Sequence, residues 1–527
     1  MKKELRIFEN LKKKSRSEDF NCSYDDSLLK PGINTFSNLP CGIDDWTLDV
    51  FRRAKNPSDP IELRDLWIGR TEQMLGNKKK RPELAEKWKS ANIERSITAE
   101  EVLCSNTTVK FVKEIFNFYF RDDLYGVLSS DDHIILSSGA VCEESWGLPE
   151  VLKECILFAL QKNWYGYSDS RGRDSTRNAV AIFENSKLQA ETYSLENIVI
   201  TIGATFAISS ISDFILKKNK DMNSPALCLI PNYPPLVESV AMRHDVKLVP
   251  MEAHEGRSSI KSLIRELRPD TPLVLLQTAI NPSGTLVDEA EIEELIRTAS
   301  PSTMIILDEC HEWLGPKIRL SNLRSAANVI RVSSLSKPWS APGVKCGWFI
   351  ADESFVKDYY EHASSTYGGP PSIYYTMIEF LAKMEAWINQ GVELPEMKHV
   401  LEFDSSYNLN LGLIQNAYLN YKAERNEVKQ ELNCQRDTTV SKFGQMPVNI
   451  IQPKYSINMA LEFPQYNDSY LCFREVLHDT SVSMYPGILN FCFTGAVERI
   501  TIARPWEDIS KASDRIQNCL SKGVEIS

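Results

Sequence analysis

From about residue 130 onward, short apolar runs alternate with stretches of helical periodicity. The runs at 197–201, 226–230, 246–249, 273–277, 304–307, 329–332 and 347–350 are apolar throughout most of their length, which predicts strands buried on both faces. Between them, 206–216 and 289–298 repeat their apolar residues at helical spacing. Strand and helix taking turns in this way predicts an α/β fold with a mainly parallel central sheet covered on both faces. In such sheets ligands sit at the carboxyl ends of the strands, so polar residues just after each run are the first place to look for chemistry.

The flanks have a different texture. Residues 1–130 read as a front extension that is polar and irregular at first, with a basic run at 78–81 before Pro82, and then has helical spacing over 111–124 with one apolar stripe, Phe111, Ile115, Phe118 and Tyr119. That stripe predicts a core-facing helix. The basic run is short and belongs to an acidic chain, so a solvated loop is favoured over a nuclear address. The large domain spans 131–365, and SSTYGGPPS punctuates the chain at its end. A connecting helical segment covers 366–394, with its pattern at 373–389. A smaller α+β domain follows over 395–527, with a charged helix at 418–432, strand-like pieces at 457–463 and 499–503, and a terminal helix.

Composition narrows the function classes. At 527 residues the chain is too long for a small stapled scaffold, and a formal charge of -11 disfavours nucleic acid as a partner. No apolar run approaches the roughly 18 residues needed to cross a bilayer, and the start MKKELRIFENLKKKSRSEDF has no apolar core after its charges. We therefore expect a cytoplasmic protein with no membrane partner. The twelve cysteines form no C-x-x-C pair, and the seven histidines form no H-E-x-x-H, so reduced thiols and no metal site are expected.

The residues that follow the strands are chemically suggestive: Gly203-Ala204-Thr205, Tyr233 in PNYPP, Asn281 in NPSGT, Asp308 in LDEC and Lys337 in SSLSKPWSAPG. Any one alone would be read as a cap or a surface charge. Together with IILSSGA, YGYSDSRGR, ITIGATFA, IPNYPP and VERITIARP, in this order, they make the chain resemble the fold type I, pyridoxal-phosphate-dependent enzymes of the class I/II aminotransferase family over residues 134–520.

The resemblance implies an aspartate-aminotransferase-like fold, with 131–365 as the cofactor-binding domain. It also implies a role for each matching residue. Lys337 would join the cofactor aldehyde as a Schiff base, and a lysine desolvated beside the cofactor meets the demand for an accessible neutral amine. Asp308 would pair with the pyridine nitrogen, Asn281 would donate to the ring oxygen, and Tyr233 would lie against the ring face. Gly203, Ala204 and Thr205 would present free N–H groups to the cofactor phosphate, with hydroxyls from Ser334 and Ser336. Tyr167 falls at the position that reaches the phosphate of a neighbouring subunit, so a homodimer or higher homo-oligomer is implied. Arg499 would clamp the substrate carboxylate, beside the turn at Gly139; the bland alternative for Arg499 is a surface strand charge.

Two positions depart from the family. Lys345 stands where an arginine usually grips the phosphate, which keeps the charge and loses the planar fork. His311 stands where many members carry a tyrosine that donates to the ring oxygen. The implied activity is amino-group transfer from an amino acid, with a keto acid as acceptor. A lyase, decarboxylase or cyclase of the same fold is the alternative, and a catalytically silent binding or regulatory protein is a further one.

Overall fold

The apolar runs become strands, and polar residues end them. The computed structural model describes residues 4–12, 36–219, 221–254 and 257–523. Over these residues the chain divides into two compact units: the first is drawn from 4–12, 142–207 and 317–434, the second from 36–141, 208–316 and 435–523.

In the first unit, strand Gly347–Ile350 lies between Ile198–Thr201 and Val329–Ser334, antiparallel to both. Glycine is needed at 347 because a Cβ there would come within 2.5 Å of the Ser333 carbonyl oxygen. Helix Asp174–Leu188 packs Phe183 against Trp348 and Trp339. It also carries Glu184, which accepts from Trp348 Nε1 at 2.9 Å and pairs with the fully buried Arg331 at 2.9 Å. Helix Tyr375–Asn389 is buried on every side from Tyr375 to Trp387, so its periodicity marks packing rather than a solvent boundary. Of its acidic residues, Glu379 accepts from Arg173, Ser175 and Tyr407 through Oε2, while Oε1 is buried with no partner among the described residues.

In the second unit, strands Met304–Asp308, Leu273–Gln277, Ala226–Ile230 and Val246–Pro250 lie in that order, all parallel. Their apolar residues are almost entirely buried, and the register sets Gln277 beside Asp308 at the carboxyl ends. A separate antiparallel sheet has the order Asn449–Ile451, Asn458–Glu462, Val497–Thr501, Tyr485–Pro486, and pairs Arg499 with Ala460 on one side and Tyr485 on the other.

Two expectations need correction. The part of the front extension before the stripe is not irregular where it is described: helices form at Asp45–Arg53, Pro60–Met74, Pro82–Ser90 and Ala99–Leu103, and the expected helix follows as Asn106–Phe118. Their start signals are local and polar. Asp44 and Asp59 accept from backbone N–H groups, Pro60 and Pro82 take first-turn positions, and Thr98 with Glu101 forms a reciprocal cap. The stripe Phe111, Ile115, Phe118 and Tyr119 is buried, as its spacing predicts. The basic run is partly structural, since Lys78 pairs with Asp479 and Arg81 with Asp123. The second correction is the length of the charged helix, which runs for 33 residues as Leu411–Phe443. Neither glycine nor proline interrupts it between Gly412 and Gly444, so nothing in the backbone stops it where its apolar periodicity fades. Among the described residues no helix is long and apolar enough to cross a membrane, and no cluster of histidine, cysteine and acidic side chains is arranged to hold a metal ion.

Candidate active site

The second unit gathers Asp308, Asn281, Arg499, Tyr233, His311 and Gly139. Asp308 is the last residue of its strand and is buried. Its Oδ1 accepts from the Cys310 backbone N–H at 3.1 Å and its Oδ2 from Gln277 Nε2 at 3.2 Å. Burial pushes the carboxyl above the ordinary aspartate value, and these hydrogen bonds oppose the push. Gln277 also accepts, through Oε1, the backbone N–H of Asn281 at 3.2 Å. One amide therefore ties the acid to the asparagine. The sequence reading overlooked Gln277, although a polar residue ending an apolar strand was a usable signal.

The Asn281 side chain is oriented by its neighbours. Its Oδ1 accepts from Arg499 at 3.2 Å and from Asn458 Nδ2 at 3.2 Å, which leaves Nδ2 as the donating end. Arg499 is only 4% exposed. A second guanidinium nitrogen donates to the Ser137 carbonyl at 2.7 Å, and the group lies over the Tyr485 ring at 4.0 Å. Its Nε is buried with no hydrogen-bond partner among the described residues. Burial pulls its pKa down, and the groups that oppose this are tyrosines 485, 119 and 233 rather than carboxylates. Among the described residues no carboxylate is paired with this buried cation, so the bland reading of a surface strand charge does not hold. Tyr485, in a two-residue strand with no sequence signature, was not foreseen.

Tyr233 caps helix Pro234–Ala241, is half-buried, and meets Phe116 edge-on at 6.0 Å. Burial raises its hydroxyl pKa and Arg499 works against the rise. His311 Nδ1 and Ser456 Oγ lie 2.5 Å apart, which orients the imidazole. Gly139 sits in the loop two residues beyond Ser137.

The first unit holds Lys337, Ser334, Ser336, Lys345, Gly203, Ala204, Thr205 and Tyr167. Lys337 is half-buried in the loop after strand Val329–Ser334. That loop is braced: Arg425 donates to the Pro338 carbonyl at 3.1 Å and stacks over Trp339 at 5.1 Å. Glu385 in turn accepts from Arg425 at 2.7 Å and Tyr421 at 2.6 Å. The Ser336 backbone N–H points at Ser334 Oγ at 3.4 Å. Gly203, at φ +94°, precedes helix Ala204–Lys218, and a Cβ on it would stand 3.9 Å from the Lys345 backbone. Backbone conformation, rather than lack of room, calls for glycine there. The first N–H groups of that helix have no intrahelical acceptor, and Thr205 and Lys345 are exposed. Tyr167 is fully exposed.

A family model described as aminotransferase class I and II matches residues 131–402. An aromatic-amino-acid aminotransferase of Thermococcus litoralis is 24% identical over 399 residues, which is 74% of this chain and 92% of the relative. A cystine lyase of Arabidopsis thaliana is 26% identical over 206 residues, 38% of this chain and 47% of the relative. Among solved structures, the aromatic aminotransferase from Pyrococcus horikoshii shares the fold with a TM-score of 0.61 at 18% identity, covering 75% of this chain and 98% of that one.

Proposed function

The chain belongs to the aminotransferase class I and II family, and from that premise we propose that it uses pyridoxal phosphate to move the amino group of an amino acid to a keto acid. The observation that carries this reading is Arg499, a buried guanidinium whose Nε has no hydrogen-bond partner and which pairs with no carboxylate among the described residues. Such a group is completed by a substrate carboxylate, taken up by its planar fork.

The residues also fit the cofactor. Asp308 is a buried acid bonded to Gln277 and the Cys310 backbone and to no cation among the described residues, Asn281 has a donor to spare, and Gly203 opens a helix whose first N–H groups suit an anion. When bound, pyridoxal phosphate supplies an electron-withdrawing ring that stabilises negative charge at the substrate α-carbon. Asp308 accepts from the ring nitrogen and keeps a proton on it. Asn281 Nδ2 donates to the ring oxygen, and Tyr233 shields one ring face. Gly203, Ala204 and Thr205, the hydroxyls of Ser334 and Ser336, and the Lys345 ammonium hold the phosphate. Lys345 does so as a point charge, without the two-pronged grip of arginine. Lys337 would anchor the cofactor covalently and, once the substrate amine has displaced it, its free amine would move the proton at the α-carbon, while Arg499, beside Gly139, would orient the carboxylate. His311, held by Ser456, donates toward the ring oxygen. Tyr167, with its ring in solvent, reaches the phosphate of a second copy in a homodimer. A cytoplasmic setting is part of this proposal.

The test is to load the purified protein with pyridoxal phosphate, trap with borohydride and map the labelled peptide, then screen amino acids with keto acid detection by mass. Label at Lys337 and one keto acid per site in a half reaction are expected. Label elsewhere, or none, overturns the reading. Likeness to the cystine lyase favours a second reading, carbon–sulfur lyase chemistry on the same residues; sustained turnover of cystine without a keto acid acceptor would select it.

A further inference from the structure

We propose that the front extension completes the carboxylate clamp, with Tyr119 as a positioning residue for Arg499; this rests on the reading of Arg499 given above. Helix Asn106–Phe118 gives way at Tyr119 to a π-helical stretch, Tyr119–Val127, a departure from α-geometry of the kind that recurs at functional sites. Tyr119 is fully buried. Its hydroxyl donates to the Met484 carbonyl at 2.9 Å, and its ring meets the Tyr485 ring at 5.7 Å. Tyr485 is the ring on which Arg499 lies, at 4.0 Å.

Ser483, the residue before Met484, lies with its hydroxyl 2.6 Å from that of Ser137. Ser137 gives Arg499 its backbone acceptor at 2.7 Å. The phenol thus touches the segment that carries the ring beneath the guanidinium, and that segment is joined through Ser483 to the one that carries its carbonyl partner. The phenol is itself fixed. Four residues on, Asp123 accepts from Tyr470 at 2.9 Å and pairs with Arg81 at 2.5 Å, which locks the π-helical stretch to helix Ser469–Thr480. Tyr119 lies in the front extension, before residue 131 where the family match begins. The extension therefore sets how firmly the amino acid carboxylate is held.

Tyr119→Phe removes one oxygen and keeps the ring. The variant is expected to raise KM for the amino acid about tenfold, the scale of one buried hydrogen bond network losing a member, with kcat within about twofold. The preference for an amino acid over its carboxamide should shrink by the same factor, which a loss of general stability would not produce. Propionate binding followed by NMR should weaken in parallel, and this readout needs no turnover. Ser483→Ala, which removes the hydroxyl that ties the segment next to Met484 to Ser137, provides a second route should Tyr119→Phe fold poorly, with a smaller shift in the same direction. Unchanged KM and unchanged acid-to-amide preference in both variants would overturn the inference. Absence of borohydride label at Lys337 in the unmodified protein would instead sink the proposed function, while the propionate comparison still decides the role of Tyr119.

Discussion

Arg499 lies face-on against Tyr485, its guanidinium carbon 4.0 Å from the ring centroid, on neighbouring strands whose register pairs the two residues directly. The ring takes the place that a carboxylate would hold in an ordinary buried ion pair, so the cation is supported without being neutralised. A desolvated contact of this kind contributes about 2 kcal/mol.

Tyr485→Phe keeps the ring face and is expected to change amino acid binding by less than about 0.5 kcal/mol. Tyr485→Leu keeps an apolar filler but loses the quadrupole, and should weaken carboxylate binding by about 2 kcal/mol. Steady-state KM, with the borohydride label at Lys337 as a check on cofactor loading, separates the two. Equal effects from both variants would show that the ring face is irrelevant.

The Lys337 loop is braced by Arg425, which holds the Pro338 carbonyl and pairs with Glu385. Arg425→Met leaves the Glu385 carboxylate with its cation removed and should cost about 3 kcal/mol of stability. Adding Glu385→Gln removes the stranded charge, so the double variant should be more stable than Arg425→Met alone, by chemical denaturation. Simple additivity of the two costs would show that the pair is not coupled.

Glu72 fixes the front helices to helix Ser469–Thr480. It accepts from Arg474 at 2.7 Å and from the backbone N–H groups of Lys80 and Arg81. Burial alone would push its carboxyl up, but Arg474 and these donors together hold it below the ordinary range. A depressed folded pKa means that the stabilisation is complete above the ordinary glutamate value of about 4.3 and is lost as pH falls through the lower folded value. Glu72→Gln should cost about 3–5 kcal/mol at neutral pH, and the gap from the unmodified protein should close in acid. Urea unfolding at steps of pH from neutral to about 3 checks the sign, and a gap that widens in acid would contradict it.

The strands were legible because burial on both faces demands continuous apolar runs, and the residues ending them, Gln277 and Asp308 among them, mark the carboxyl edge. Length fared worse where periodicity was the only guide. The helix Leu411–Phe443 continues through charged turns because its backbone meets no breaker. The front helices before the stripe at Phe111 were missed for the opposite reason: their evidence lies in single capping residues such as Asp44, Asp59 and Thr98 rather than in a regular apolar stripe.

Taken alone, the order of residues along the chain determined the α/β class, the family and which side chains are candidates for chemistry, because these depend on local periodicity and on short motifs. Tertiary structure decided what those side chains face. Arg499 finds Asn281 across 218 positions, Ser137 across 362, and Tyr119 finds Met484 across 365. Pairings at such separations follow from sheet register and helix packing, which no local pattern encodes, and they turn a strand arginine into a buried cation awaiting a carboxylate.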